Sequence, residues 1–265
     1  MAESEARVSI LDRGFLYGDG CFETVRMHRG APFRFDAHLR RLDESLKILD
    51  LERPAHLGRV REDARELAEA WRMQEGLIRI TVTPPNPDAK LAGTVAITAR
   101  GLPPVPERVT LRIAQSVRRV PGPLSRTKPI SRVAEAVALR EARRGRAFDA
   151  VLLNSRGNVV ETTARNLFLV TGGGILTPPA SEGALEGVTR AVVIELALKF
   201  GLPIRETSVS TESLLAADEV FLTGSGVGVL GVATVHAHDY GPVPGPVTKR
   251  LADAYGKVLD DEAKW

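Results

Sequence analysis

The stretch from Ser116 to Lys128 constrains this chain more than any other. It carries Pro121 and Pro123, follows no apolar period, and separates two blocks that each hold their own strands and helices. With 265 residues the chain also exceeds the usual size of a single domain. The predicted organisation is therefore a small N-terminal α/β domain at 1–116, an interdomain connector at 117–128 and a large C-terminal α/β domain at 129–265. The fold class is α/β of the α+β type.

In the first block, Gly20 to His28 reads as a strand after the Gly18-Asp19-Gly20 turn, and Arg29-Gly30 as a hairpin turn into Pro32 to Phe35. Asp36 is the expected N-cap of a helix whose Leu39, Leu42, Leu46 and Leu49 form one apolar stripe. Leu57 to Met73 predicts a second amphipathic helix. Leu77 to Thr83, Leu91 to Ala99 and Val109 to Ala114 predict strands.

In the second block, Val133 to Arg144 predicts a helix. Ala150 to Leu153 pairs with Val159 to Glu161, and Leu167 to Val170 with Ile175 to Thr177, as hairpins. Thr189 is the expected cap of a helix that stops at Gly201. Glu219 to Thr223 reads as a buried strand running into Gly224-Ser225-Gly226, and Val247 to Leu259 as a closing helix.

A hydrophobic content of 43% with 26% charged residues is that of a globular protein, and no apolar run reaches the roughly 18 residues of a membrane span. The acidic, polar start Met1-Ala2-Glu3-Ser4-Glu5 does not resemble an export signal. Cys21, the single cysteine, excludes an intrachain disulfide and suits a reducing cytoplasm. The net charge of +3 comes with no Arg/Lys stripe interleaved with aromatics, so nucleic acid is not an expected partner.

Several residues carry chemistry. Lys128 in the connector and Glu161 could serve as an amine and a carboxylate on separate elements around one cleft. Such a pair can form an imine with an aldehyde cofactor and keep its ring nitrogen protonated. Gly187-Val188-Thr189 opens a helix with free amides, a hydroxyl and the positive end of the dipole, an anion site in the making. Gly224-Ser225-Gly226 is a candidate second wall. Arg41, one helical turn from His38, can reach a phosphate as a fork donor. Arg26 and Arg79 fall on strands, where an inward charge is costly unless it binds something. His236 and His238 read as sharing a strand face, but no third ligand falls at helpful spacing and no metal site is expected. These observations alone do not single out Lys128 from six other lysines.

The chain resembles the class IV aminotransferases, the fold type IV pyridoxal phosphate enzymes that include branched-chain and D-amino-acid transaminases and aminodeoxychorismate lyase. The matching pieces run in family order from Asp12-Arg13-Gly14 and Tyr17-Gly18-Asp19-Gly20-Cys21-Phe22-Glu23 to His38-Leu39-Arg40-Arg41-Leu42 and Lys128. They continue through Glu161 with Asn166-Leu167-Phe168 and Gly187-Val188-Thr189-Arg190 to Gly224-Ser225. The resemblance implies pyridoxal 5′-phosphate at the domain interface, bonded to Lys128, with Glu161 on the pyridinium nitrogen. By the same resemblance Arg41, the amides of Val188 and Thr189, and Ser225 grip the phosphate, and Leu185 lies under the ring.

Two departures touch the substrate side. Val133 stands where branched-chain enzymes place a tyrosine, and Pro84-Pro85 where D-amino-acid transaminases place Arg-Gly. Arg26 and Arg79, from one subunit or two, are the expected replacements for holding substrate carboxylates, with Phe22 beside them. The implied activity is amino transfer, leaning towards D-amino acids such as D-Ala or D-Glu, to a 2-oxo acid such as 2-oxoglutarate, in a cytoplasmic homodimer. Aminodeoxychorismate lyase and branched-chain L-amino-acid transaminase are the implied alternatives, and a non-catalytic phosphate-ligand binder a remote one.

Overall fold

The computed structural model describes residues 3–265; Met1 and Ala2 of the polar start lie outside the described residues. The first half contains α1 (Arg13–Tyr17), β1 (Cys21–His28), β2 (Ala31–Pro32), α2 (Phe35–Ile48), α3 (Val60–Ala70), β3 (Gly76–Val82) and β4 (Val95–Arg100). Their strands form an antiparallel sheet in the order β2-β1-β3-β4. Successive strand side chains point to opposite faces. Val25, Met27, Ile78, Ile80 and Val82 therefore face α2 and α3, where they bury a core with Leu42, Leu46, Val60 and Ala64. The other face presents Phe22, Thr24 and Arg79, with Thr24 opposite Arg79 in the register.

Two local expectations are corrected. Asp36 lies in the first turn of α2 rather than at its cap, which is Arg34 in a left-handed conformation with φ 48°. Arg34 is held there by Glu195, at 2.8 and 2.9 Å, and by Glu262 at 2.6 Å, contacts invisible to local sequence. The expected helix from Leu57 begins instead as a 3₁₀ turn over Ala55–Arg59, around Gly58, a poor helix former, and becomes α-helical only at Val60.

The rest of the chain supplies β5 (Thr110–Ile113), α4 (Val133–Arg144), β6 (Asp149–Leu153), β7 (Val159–Thr162), β8 (Asn166–Thr171), β9 (Gly174–Thr177) and α5 (Val188–Lys199). After these come β10 (Ile204–Glu206), α6 (Thr211–Leu215), β11 (Glu219–Gly224), β12 (Gly228–Val232), β13 (Thr234–Val235), β14 (His238–Asp239) and α7 (Pro246–Glu262). The second sheet runs β10-β9-β8-β7-β6-β5-β13-β14, with β11 also on β8 and β12 on β11. β5 precedes residues 117–128 yet pairs in parallel with β6 and β13 in this second sheet.

One face of the second sheet packs Leu167, Leu169, Val220 and Leu222 into a core. The other buries Phe168 stacked on Phe221, ring centroids 4.8 Å apart, under α5 and α7. α4 covers β6 through Ala138 and Ala142 against Ala150 and Leu152. The chain end then returns to the first half: Trp265 donates Nε1–H to the Gly30 carbonyl at 3.0 Å, and Phe33 packs edge-on to Tyr255. Among the described residues no helix is long and apolar enough to cross a membrane.

Candidate active site

Between the exposed face of the first sheet and the loops of the second half lies a cavity of about 370 Å³. The first sheet lines it with Phe22, Thr24, Leu77, Arg79 and Arg100. Lys128, Leu185, Val188, Thr189 and Ser225 line the opposite side.

Lys128 is placed by its backbone. Its carbonyl accepts from the Phe22 amide at 2.9 Å, Pro129 bridges to Cys21, and the Ile130 amide donates to the Gly20 carbonyl at 3.0 Å. The segment is thus sewn to the start of β1, and Nζ lies 4.8 Å from the Phe22 ring centroid. Burial, reinforced by the charge of Arg41, lowers the Lys128 pKa from the ordinary 10.5 to about 8.

Glu161 sits on β7 with 7% exposure. Its Oε1 accepts from Arg119 Nη2 at 3.0 Å. Its Oε2 accepts from Asn166 Nδ2 at 3.0 Å and the Leu185 amide at 3.2 Å. Burial raises its pKa, opposed by the charge of Arg119 and the Leu185 amide. Arg119 is itself fixed by Glu135 at 2.8 Å.

Helix α5 begins at Val188 with Gly187 as its N-cap, so Thr189 lies inside the first turn and is not the cap the sequence suggested. The first amides of a helix have no intrahelical acceptor. A Cβ at Gly187 would stand 2.1 Å from Asn166 Oδ1, so only glycine lets the helix start this close to β8. Nearby, Thr223 Oγ1 is buried with no hydrogen-bond partner among the described residues. Ser225 lies in the turn between β11 and β12, a strand the sequence pattern did not reveal.

Arg41 reaches the cavity from α2 and is engaged on its far side. Nε and Nη2 grip Glu23 Oε1 and Oε2 at 2.7 and 2.8 Å, and Nη1 donates to the Glu186 carbonyl at 2.9 Å. Burial would raise the pKa of Glu23, but Arg41 and His38, whose Nδ1 is 2.8 Å from Oε2, hold it far below the usual carboxylate range. Burial outweighs Glu23 at His38 and pushes that imidazole pKa down.

Arg79 lines the cavity, its Cζ 3.5 Å from the Phe22 centroid, with Nε donating to Thr81 Oγ1 at 3.1 Å. Arg26 does not line it. Although on the same face of β1, it lies farther along the strand and ion-pairs with Glu75 at 2.8 Å. His236 and His238 do not share a strand face: His236 occupies a turn at φ 52°, and its Nε2 accepts from the Ile113 amide at 3.2 Å. Among the described residues there is no metal-holding cluster. The sequence reading passed over Glu23, Arg119, Asn166 and Thr223. Of these, Glu23 and Asn166 lay inside the motifs and carried a signal.

The chain matches the family described as Amino-transferase class IV over residues 20–235, and it belongs to that family. Over 99% of this chain and 94% of the relative, it is 32% identical to a putative branched-chain-amino-acid aminotransferase of Methanocaldococcus jannaschii. It is 29% identical to the D-alanine aminotransferase of Bacillus licheniformis, across 100% of this chain and 96% of that one. To the aminodeoxychorismate lyase of Bacillus subtilis it is 30% identical, over 98% and 92%.

Its fold matches the branched-chain aminotransferase of Thermoproteus uzoniensis, solved with norvaline, at a TM-score of 0.90 and 30% identity, covering 99% of this chain and 93% of that one. It matches the T.th. branched-chain amino acid aminotransferase, solved with pyridoxamine 5′-phosphate, at 0.87 and 28%, over 97% and 90%. The architecture is that of the fold type IV enzymes, and the protein is a transaminase whose cofactor is pyridoxal phosphate.

Proposed function

We propose that this chain moves an amino group from a D-amino acid such as D-Ala or D-Glu to a 2-oxo acid such as 2-oxoglutarate, as a homodimer in the cytoplasm. The observation that carries the reading is Lys128, with its lowered pKa, in the cavity wall, and behind that wall the buried Glu161, whose charge acts on Lys128 and which is held by cavity-lining Asn166 and Leu185.

The residues present fit the cofactor. The partnerless Thr223 hydroxyl, the close-packed helix start at Gly187 and the cavity face of Arg41 suit a phosphate. Arg41, the amides of Val188 and Thr189, and Ser225 would hold that phosphate, Leu185 would lie against the ring, Glu161 would pair with its nitrogen, and Lys128 would bond its carbonyl carbon. When bound, the group supplies an electron sink for the substrate α-carbon.

What the chain adds is proton handling and orientation. With a pKa of about 8, Lys128 Nζ holds and gives up a proton within a unit or so of neutral pH, as a group serving as base and then acid must. Arg119, Asn166 and the Leu185 amide fix the Glu161 carboxylate in one orientation. Phe22 and Arg79 form the substrate wall. The lean towards D-amino acids rests on Gly18-Asp19-Gly20-Cys21-Phe22, on Lys128-Pro129-Ile130-Ser131-Arg132 and on the D-alanine relative. Exposed Phe15, Tyr17 and Val133 favour a dimer, and a lone, buried Cys21 suits a reducing compartment.

Single-turnover spectra test the reading. Mixing the holoenzyme with D-Ala, D-Glu, L-Leu or L-Val should bleach the visible band of the lysine-bound cofactor, fastest with a D-enantiomer. Faster bleaching by L-Leu or L-Val would transfer the assignment to branched-chain substrates. The B. subtilis relative favours a second reading, the lyase. Pyruvate and 4-aminobenzoate formed from aminodeoxychorismate, with no bleaching by any amino acid, would establish it instead.

A further inference from the structure

The guanidinium groups lining the cavity differ in how their charge is met. Arg41 is forked by Glu23, Arg132 pairs with Glu135 at 3.3 Å, and Arg165 with Asp149 at 2.6 Å. Arg79 and Arg100 form no ion pair with any carboxylate among the described residues. The register puts them side by side. Arg79 faces Thr98 and Leu77 faces Arg100, so Arg79 and Arg100 are diagonal neighbours on the cavity face of β3 and β4. Two like charges at that spacing repel, and no carboxylate among the described residues pairs with either. Burial first, then the charges of Arg100 and Arg132, pushes the Arg79 pKa below its ordinary value. A planar fork donor answers a carboxylate with two parallel hydrogen bonds. Arg26, already neutralised by Glu75, has no such opening.

We propose that Arg100 is a specificity-determining residue which, beside Arg79, receives the second carboxylate of a dicarboxylic substrate and selects it over monocarboxylic acids of the same length. The inference rests on the transaminase reading, but its test does not depend on turnover. Glutarate, a dicarboxylate with no amino group to transfer, and pentanoate, its monocarboxylic counterpart, are titrated calorimetrically into the holoenzyme.

Wild type should bind glutarate more tightly than pentanoate. Arg100→Gln should weaken glutarate by about tenfold or more, the range for a lost hydrogen bond to a charged group, and pentanoate less than twofold. Arg100→Lys, which keeps the charge without the fork, should recover part of the difference. In steady state the Arg100→Gln KM should rise for 2-oxoglutarate and not for 2-oxopentanoate, with kcat little changed. Equal affinities in wild type, or a parallel loss for both acids in Arg100→Gln, would overturn the proposal. Absence of amino transfer by an enzyme that still prefers glutarate would instead remove the transaminase reading.

Discussion

Glu23 has no exposed surface and still carries a charge, because both its oxygens are occupied by Arg41 and one also by His38. Removing one partner of such a pair leaves the other buried and unmatched. Glu23→Gln should therefore lower the unfolding free energy by about 3–5 kcal/mol, read by denaturant titration. It should also move Lys128. The Glu23 charge raises the Lys128 pKa and that of Arg41 lowers it, so the variant should label at Nζ in the apoenzyme with a midpoint below the wild-type value of about 8.

The depressed pKa of Lys128 has a second, signed consequence. Below pH 8 the folded protein bears the full cost of a buried ammonium, and this cost fades as pH rises towards the ordinary value of 10.5. Lys128→Met should raise the apoenzyme melting temperature at pH 7, with the gain shrinking between about pH 8 and 10.5. The residue types of the site were legible in the sequence, but their selection was not. Lys128 was chosen by resemblance, and strand alternation put Arg26 and Arg79 on strands without telling which end of β1 meets the cavity. Arg100 becomes a candidate only through the β3–β4 register, a long-range fact.

Among the elements, the start of α5 is the most tightly specified. Gly187 has φ −67°, so backbone strain does not require glycine there; the 2.1 Å approach of Asn166 Oδ1 does. Gly187→Ala should displace either the first turn of α5 or Asn166, which also holds Glu161. The dissociation constant for pyridoxal phosphate should then rise about tenfold or more, as for a lost charge-assisted hydrogen bond, measured by equilibrium titration of the apoenzyme. The periodic elements α4, β6, β8 and β11 were readable because apolar spacing follows burial. Helix starts were not, since Arg34 is set by Glu195 and Glu262 from the other half of the chain. Strand β12 hid behind its glycines, Gly228 and Gly231, which leave little side-chain pattern to read.

At the scale of the whole molecule, the two sheets meet around the cavity and are also tied through the chain end, where Trp265 and Lys264 bond to Gly30 and Pro32. Strand β5, on the N-terminal side of the proline-rich segment, hydrogen-bonds into the second sheet, a non-local pairing that no composition shift announces. The exposed apolar side chains of Phe15, Tyr17 and Val133 predict association. Sedimentation should show a dimer for wild type and a shift towards monomer for Phe15→Glu combined with Val133→Glu.

The central claim is that one amine of this chain holds the cofactor, and the most direct measurement is chemical. Borohydride reduction of the holoenzyme, digestion and mass spectrometry should place the phosphopyridoxyl mass on the peptide containing Lys128 alone, and Lys128→Ala should take up no label. A label on any of the other lysines, or an unchanged label in Lys128→Ala, would contradict the account.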